Sequence, residues 1–169
     1  MLIKLNEKET KLAINLGKKR HSAKHISFRN SGSIRINSGF FLESVDKQFY
    51  PHIIGVLGEL AYSKICNESI DENIYSVRDS GEDFKGIEVK AITYFGSGEP
   101  ELKIPKQEYK TRTKIETYVL VRINNQNLSN IEVLGKISRN EFDKKKVSKQ
   151  YGINYPENWV VPLSMMDKF

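Results

Sequence analysis

Three features of the sequence predict an α/β fold in a single domain. Residues 51–66 carry Ile53, Val56, Leu57, Leu60, Ala61 and Ile65 at helical spacing, one apolar stripe on one helix. Residues 87–91 alternate strictly between apolar and charged side chains, and residues 116–123 are rich in Thr, Tyr, Val and Ile, so both read as strands. Helical and extended segments interleave along 169 residues with no repeat, low-complexity tract or linker, a length that suits one domain with a proper core.

Asn6-Glu7-Lys8-Glu9 has the pattern of a capping box that opens a short helix, with Leu12, Ala13 and Leu16 on its apolar side and Gly17 as its stop. From His21 to Phe49 Ser, Gly and Asn are frequent, which predicts a long loop with a short strand at Ser33–Asn37. Pro51 suits the first turn of the main helix, while Gly55 and Gly58 predict close packing of another backbone on it. Strands follow at 74–78 and from the Glu88 region to about Tyr94, then a Gly-Ser-Gly-Glu-Pro turn over 96–100 and a strand at 101–104. Pro105 opens a helix through about Lys114, and strands at 116–123 and 131–137 come next. Ser138-Arg-Asn-Glu141 is a second capping box, opening a basic helix to about Gln150, and a strand at Trp159–Leu163 closes the chain.

The chemistry concentrates between Asp79 and Ala91. Lys85-Gly86 suits a two-residue hairpin turn, which sets Phe84 opposite Ile87 and Asp83 opposite Glu88. Two carboxylates then share a sheet face with Lys90, and like charges so placed destabilise each other. Lys90 relieves part of this conflict. A hard divalent ion such as Mg²⁺, which takes oxygen from one or two carboxylates, relieves it better, whereas in the plainer alternative the hairpin charges are simply solvated. Glu59 lies beside the apolar stripe of the main helix, where an acid either reaches out to water or points into a site.

Lys and Arg outnumber Asp and Glu by 27 to 21, and residues 1–35 hold nine of the basic side chains against two acidic ones. Such a patch suits a polyanion partner through phosphate neutralisation, with Lys18, Lys19, Arg20, Lys24 and Arg29 as the contacts. A solubilising role for the same charges is the alternative. Cys66 is the only cysteine, which excludes an intrachain disulfide; its position predicts a buried thiol rather than a nucleophile. The first residues lack an apolar core of signal-peptide length and no later run approaches a membrane span, so the expected location is cytoplasmic. No Gly-rich loop has nucleotide-binding spacing, and His21 with His25 lacks the further ligands of a zinc site. Tyr94 and Phe95 fit core packing better than base stacking.

Gly55-Val-Leu-Gly58-Glu59-Leu-Ala61 on a helix, Asp83 at a strand end, Glu88-Val89-Lys90 on the next strand and a helix-strand unit at 105–123 follow one another in a known order. In this the chain resembles the PD-(D/E)XK nuclease superfamily over residues 51–123, and the tail looks like small phage and bacterial members. The chain departs from the pattern in carrying Glu82 where the family usually has Pro, and only four residues separate Asp83 from Glu88. Asp79 or Glu82 is the substitute if the assignment shifts.

The resemblance implies a restriction-endonuclease-like domain: a central mixed β-sheet flanked by helices, with residues 1–50 as a basic helix and arm, 51–123 as the nuclease core and 124–169 as a strand-helix-strand extension. It implies a Mg²⁺-dependent endonuclease, with Mn²⁺ as a substitute, acting on nucleic acid, DNA in preference, and often dimeric. Asp83, Glu88 and the Val89 carbonyl would hold the metal, Glu59 would complete the site directly or through water, and Lys90 would orient or deprotonate the attacking water. Lys106, Gln107 and Lys110 would touch the nucleic-acid backbone, or else form a polar helix face. A non-cleaving nucleic-acid-binding protein, a Holliday-junction resolvase, an RNA-directed enzyme and a protein-docking module are the competing expectations.

Overall fold

The strand at Thr117–Asn124, β4 in chain order, is apolar on both faces, and that decides the layering. Val119, Val121 and Ile123 point into one core and Tyr118 and Leu120 into another, all of them fully buried. A strand covered on both sides reads as a nearly continuous apolar run, as this one does. The structure, a computed structural model, describes residues 1–27, 47–74, 82–93 and 98–169. Within it β4 pairs antiparallel with β5 (Asn127–Ser138) and parallel with β2 (Ile87–Ile92), while β5 also carries β1 (Leu2–Lys4) and β8 (Asp167–Lys168). The result is a mixed sheet with the order β1-β5-β4-β2.

Two helices, α1 (Glu7–Ser27) and α2 (Tyr50–Cys66), cover one face of this sheet, with Ala13, Leu16, Ile53, Val56, Leu57 and Leu60 packed against Val89, Val121 and Val133. The other face is covered by a three-stranded antiparallel sheet in the order β3-β7-β6, formed by β3 (Glu101–Pro105), β6 (Val147–Lys149) and β7 (Asn158–Pro162), together with the short helices α3 (Lys106–Thr111) and α4 (Arg139–Lys145). Leu102, Ile104, Tyr109, Phe142 and Val161 supply this second core. The fold is therefore α/β, a mixed sheet flanked by helices. Among the described residues no helix is long and apolar enough to cross a membrane.

The expected capping residues open both helices, α1 through a full box and α4 through the Ser138 half alone. The Asn6 side chain accepts from the Glu9 amide at 2.9 Å and the Glu9 carboxylate accepts from the Asn6 amide at 2.6 Å, while the Ser138 hydroxyl accepts from the Glu141 amide at 3.2 Å. The expected stop at Gly17 does not occur: α1 runs on to Ser27 and takes up the first seven residues of the expected loop. Gly17 serves close approach instead. A Cβ there would lie 2.7 Å from the backbone N and Cα of Ile53, so the missing side chain lets α1 and α2 touch. Gly58 does the same for the sheet, its absent Cβ falling 2.9 Å from Val121 and 3.2 Å from Ala91, whereas a Cβ on Gly55 would meet none of the described residues within 4 Å.

Other boundaries moved. The basic helix after Ser138 ends at Lys145 and residues 147–149 form β6, because pairing Val147, Ser148 and Lys149 with β7 satisfies their backbone and suits the β-branched Val147. The helix after Pro105 ends at Thr111 rather than Lys114. Strands β1 and β8 were not expected, being two or three residues long, too short for a period to show. The strand expected at 33–37 lies outside the described residues, as does the one expected at 74–78 apart from Ile74, which is in no strand. The two helical glycines give opposite expectations under urea denaturation: Gly17→Ala destabilises by about 1–3 kcal/mol through overpacking, and Gly55→Ala stabilises by up to about 1 kcal/mol through helix propensity.

Candidate functional site

The hairpin forms as its sequence requires. Phe84 and Ile87 bridge, Ile87 donating to the Phe84 carbonyl at 2.8 Å, and Gly86 takes the positive φ of 72° that the turn needs. Beyond the turn the Gly86 carbonyl accepts from the amides of Glu116 and Thr117, which ties the hairpin to the start of β4. Asp83 is fixed twice: its amide donates to the Ile87 carbonyl at 2.9 Å, and its Oδ2 accepts from the Val89 amide at 2.7 Å. Alternation along β2 sends Val89 toward α2 and sends Glu88 and Lys90 to the opposite face, under α3.

Glu88 is the most deeply buried acid of the described residues, 2% exposed. Its Oε1 pairs with Lys90 Nζ at 2.8 Å and with the Arg112 guanidinium, while Oε2 is buried with no hydrogen-bond partner among the described residues. Lys90 and Arg112 also reach Glu108, at 3.0 and 3.5 Å. On the α2 side Glu59, 6% exposed, pairs with Arg20 at 2.6 Å, and Arg20 also donates to the Asp71 carbonyl at 2.6 Å. Asp83 lies between these two groups and feels both.

The expected conflict among carboxylates is present in these electrostatics. Burial, then the Glu59 charge, and to a smaller degree Glu88, push the Asp83 carboxyl from 3.8 up to about 8, against the opposing pull of the Val89 amide and Lys90. Burial alone would depress Lys90, but the Glu88 and Glu108 carboxylates outweigh it and hold the ammonium above the ordinary lysine value. Arg20 is likewise held charged: burial opposes it, and Glu59, Asp83 and Asp71 prevail. Lys90 thus enters the site as a cation rather than as a base.

Other expected contacts are dispersed. Arg20 turns inward to Glu59, while Lys19 beside it is exposed and Lys18 lies 6.0 Å from the Phe49 ring. Gln107 and Lys110 are exposed on α3; Lys106 pairs with Glu157 at 2.9 Å and covers the Trp159 ring. Arg29, Asp79, Tyr94, Phe95 and the side chains of Lys24 and His25 lie outside what is described. His21 is buried edge-on against Phe49 and His52, and Cys66 is half-buried rather than buried. Glu82, the substitute acid, has an oxygen 3.3 Å from the Gly86 amide, a turn contact.

Sequence reasoning missed Arg112 and Glu108. Their four-residue spacing on a helix is visible in the chain, but their meeting with Glu88 and Lys90 depends on how α3 is laid across β2. Among the described residues no group of three or more His, Cys, Asp or Glu side chains is assembled that could hold a metal ion. The donor chemistry nonetheless fits Mg²⁺, which needs only one or two carboxylates and keeps its waters: Asp83 and Glu88 come from one hairpin, and Glu88 Oε2 lacks a partner. Comparison with protein-family models, with curated proteins and with solved structures finds no match to this chain.

The Asp83 shift sets a pH dependence. Folding holds the Asp83 proton more tightly than the unfolded chain does, so this contribution to stability is complete below pH 3.8 and is lost as the pH rises through about 8. In EDTA the melting temperature of the native protein should fall across that window, and Asp83→Asn should flatten the fall. An identical slope in the variant would assign the pH dependence to other groups.

Proposed function

We propose that the chain is a Mg²⁺-dependent nuclease that hydrolyses phosphodiester bonds, with DNA as its first-choice substrate. The observation that carries this reading is the buried Glu88 carboxylate, one oxygen held by two cations and the other without a partner, beside Asp83 on the same hairpin. Asp83 and Glu88 are the residues that would hold the metal, which when bound supplies Lewis acidity and lowers the pKa of a coordinated water. Lys90, held charged by its acidic neighbours in the metal-free chain, is placed to orient the attacking water and to donate to charge that develops on the phosphate. Glu59, tied to Arg20, contributes negative potential at Asp83. Lys19, Gln107 and Lys110 are exposed and suited to the nucleic-acid backbone.

A second reading, a nucleic-acid-binding protein that does not cut, is favoured by the same ion pairs. Arg20 on Glu59 and Arg112 on Glu88 already compensate two of the three acids from within the chain. Cleavage of supercoiled plasmid, single-stranded DNA and a four-way junction, each with Mg²⁺, Mn²⁺ or EDTA, separates the two readings and detects a resolvase by its preference for the junction. The nuclease reading expects cutting with metal alone, reduced about a hundredfold or more by Lys90→Ala and by Asp83→Asn. Salt-sensitive binding without cleavage in any metal would establish the second reading instead.

A further inference from the structure

We infer that Arg112 is the positioning residue of the site: by occupying Glu88 Oε1 it fixes the carboxylate with Oε2 turned to receive a divalent cation, an inference that rests on the metal-dependent reading above. Glu88 reaches the site on a strand and Arg112 from the end of α3, so their pair joins the two sheets' layers at the point where chemistry would occur. A carboxylate rotates freely unless one of its oxygens is claimed. Here Lys90 and Arg112 claim the same oxygen, and the other is left buried and unpartnered, an arrangement that costs stability unless a ligand completes it.

Arg112 is itself held in place. The Arg139 guanidinium, from α4, donates to the Arg112 carbonyl at 2.7 Å and to the Tyr109 carbonyl at 2.9 Å, closing off the end of α3. The Arg139 amide donates at 2.7 Å to the carbonyl of Glu116, whose own amide donates to Gly86 in the hairpin turn. The relay Arg139 to Arg112 to Glu88 therefore makes α4, part of the C-terminal extension, a support of the site. Outer partners that orient ligating groups commonly change metal affinity about 10–100-fold when lost.

The test is Mn²⁺ binding to the 169-residue protein, followed by electron paramagnetic resonance of free Mn²⁺, for the native chain, Arg112→Gln, Arg112→Lys and the control Lys11→Gln, which breaks an exposed ion pair with Glu7 on α1. Melting curves in EDTA establish that each variant is folded, and Arg112→Lys keeps the charge should Arg112→Gln fail to fold. Positioning predicts Mn²⁺ affinity at least about tenfold weaker in both Arg112 variants, because lysine lacks the planar fork, and unchanged in the control. Equal or tighter binding by Arg112→Gln would make Arg112 a competing counter-ion and overturn the inference. Failure of the native protein to bind Mn²⁺ would overturn the metal-dependent reading beneath it.

Discussion

Burial of the Glu88 carboxylate is the constraint on which the site depends. An ionised acid at 2% exposure is tolerated only with cations beside it, and breaking such a pair leaves a charge whose cost is about 3–5 kcal/mol. The chain meets this need with Lys90, two residues along the same strand, and with Arg112 from α3. The first partner is local and comes with the alternation of β2. The second is tertiary and requires the β3–α3 unit to lie across the sheet face, so the acid both orders and is ordered by the packing around it.

The same logic extends outward through β4. Because both of its faces are apolar, the sheet must be covered twice, once by the α1–α2 pair and once by the three-stranded sheet with α3 and α4. Each covering layer then brings one arginine to one acid: Arg20 from α1 to Glu59, Arg112 from α3 to Glu88. Asp83, between the two pairs, is made by burial and by the Glu59 charge to hold its proton more tightly than a free carboxyl does. Layering decided by hydrophobic burial thus determines which charges meet.

Much of this was legible in the chain where the cause is local. The helix from Pro51, the turn at Lys85-Gly86, the alternation that separates Val89 from Glu88 and Lys90, and the capping residues of α1 and α4 follow from neighbours within about four residues. The role of Gly17 is not legible because a glycine that ends a helix and one that admits a neighbouring helix look alike in sequence; only the approach of Ile53 tells them apart. Val147–Lys149 looks helical in the chain because its strand partners in β7 lie 9 to 13 residues further on. The Arg20–Glu59 pair is not legible in the chain because the basic run around Arg20 is local while Glu59 is 39 residues away. Residues 101–114 and 139–157 hold ten basic against five acidic side chains, so the positive charge is not confined to the amino-terminal segment.

A crystal structure of the protein grown with Mn²⁺, with the ion located by its anomalous scattering, tests the central claim most directly. The account predicts a peak within coordination distance of Glu88 Oε2 and an Asp83 oxygen, with the Arg112–Glu88 pair retained on Oε1. An ion located elsewhere on the chain, with Glu88 Oε2 still unpartnered, would contradict it.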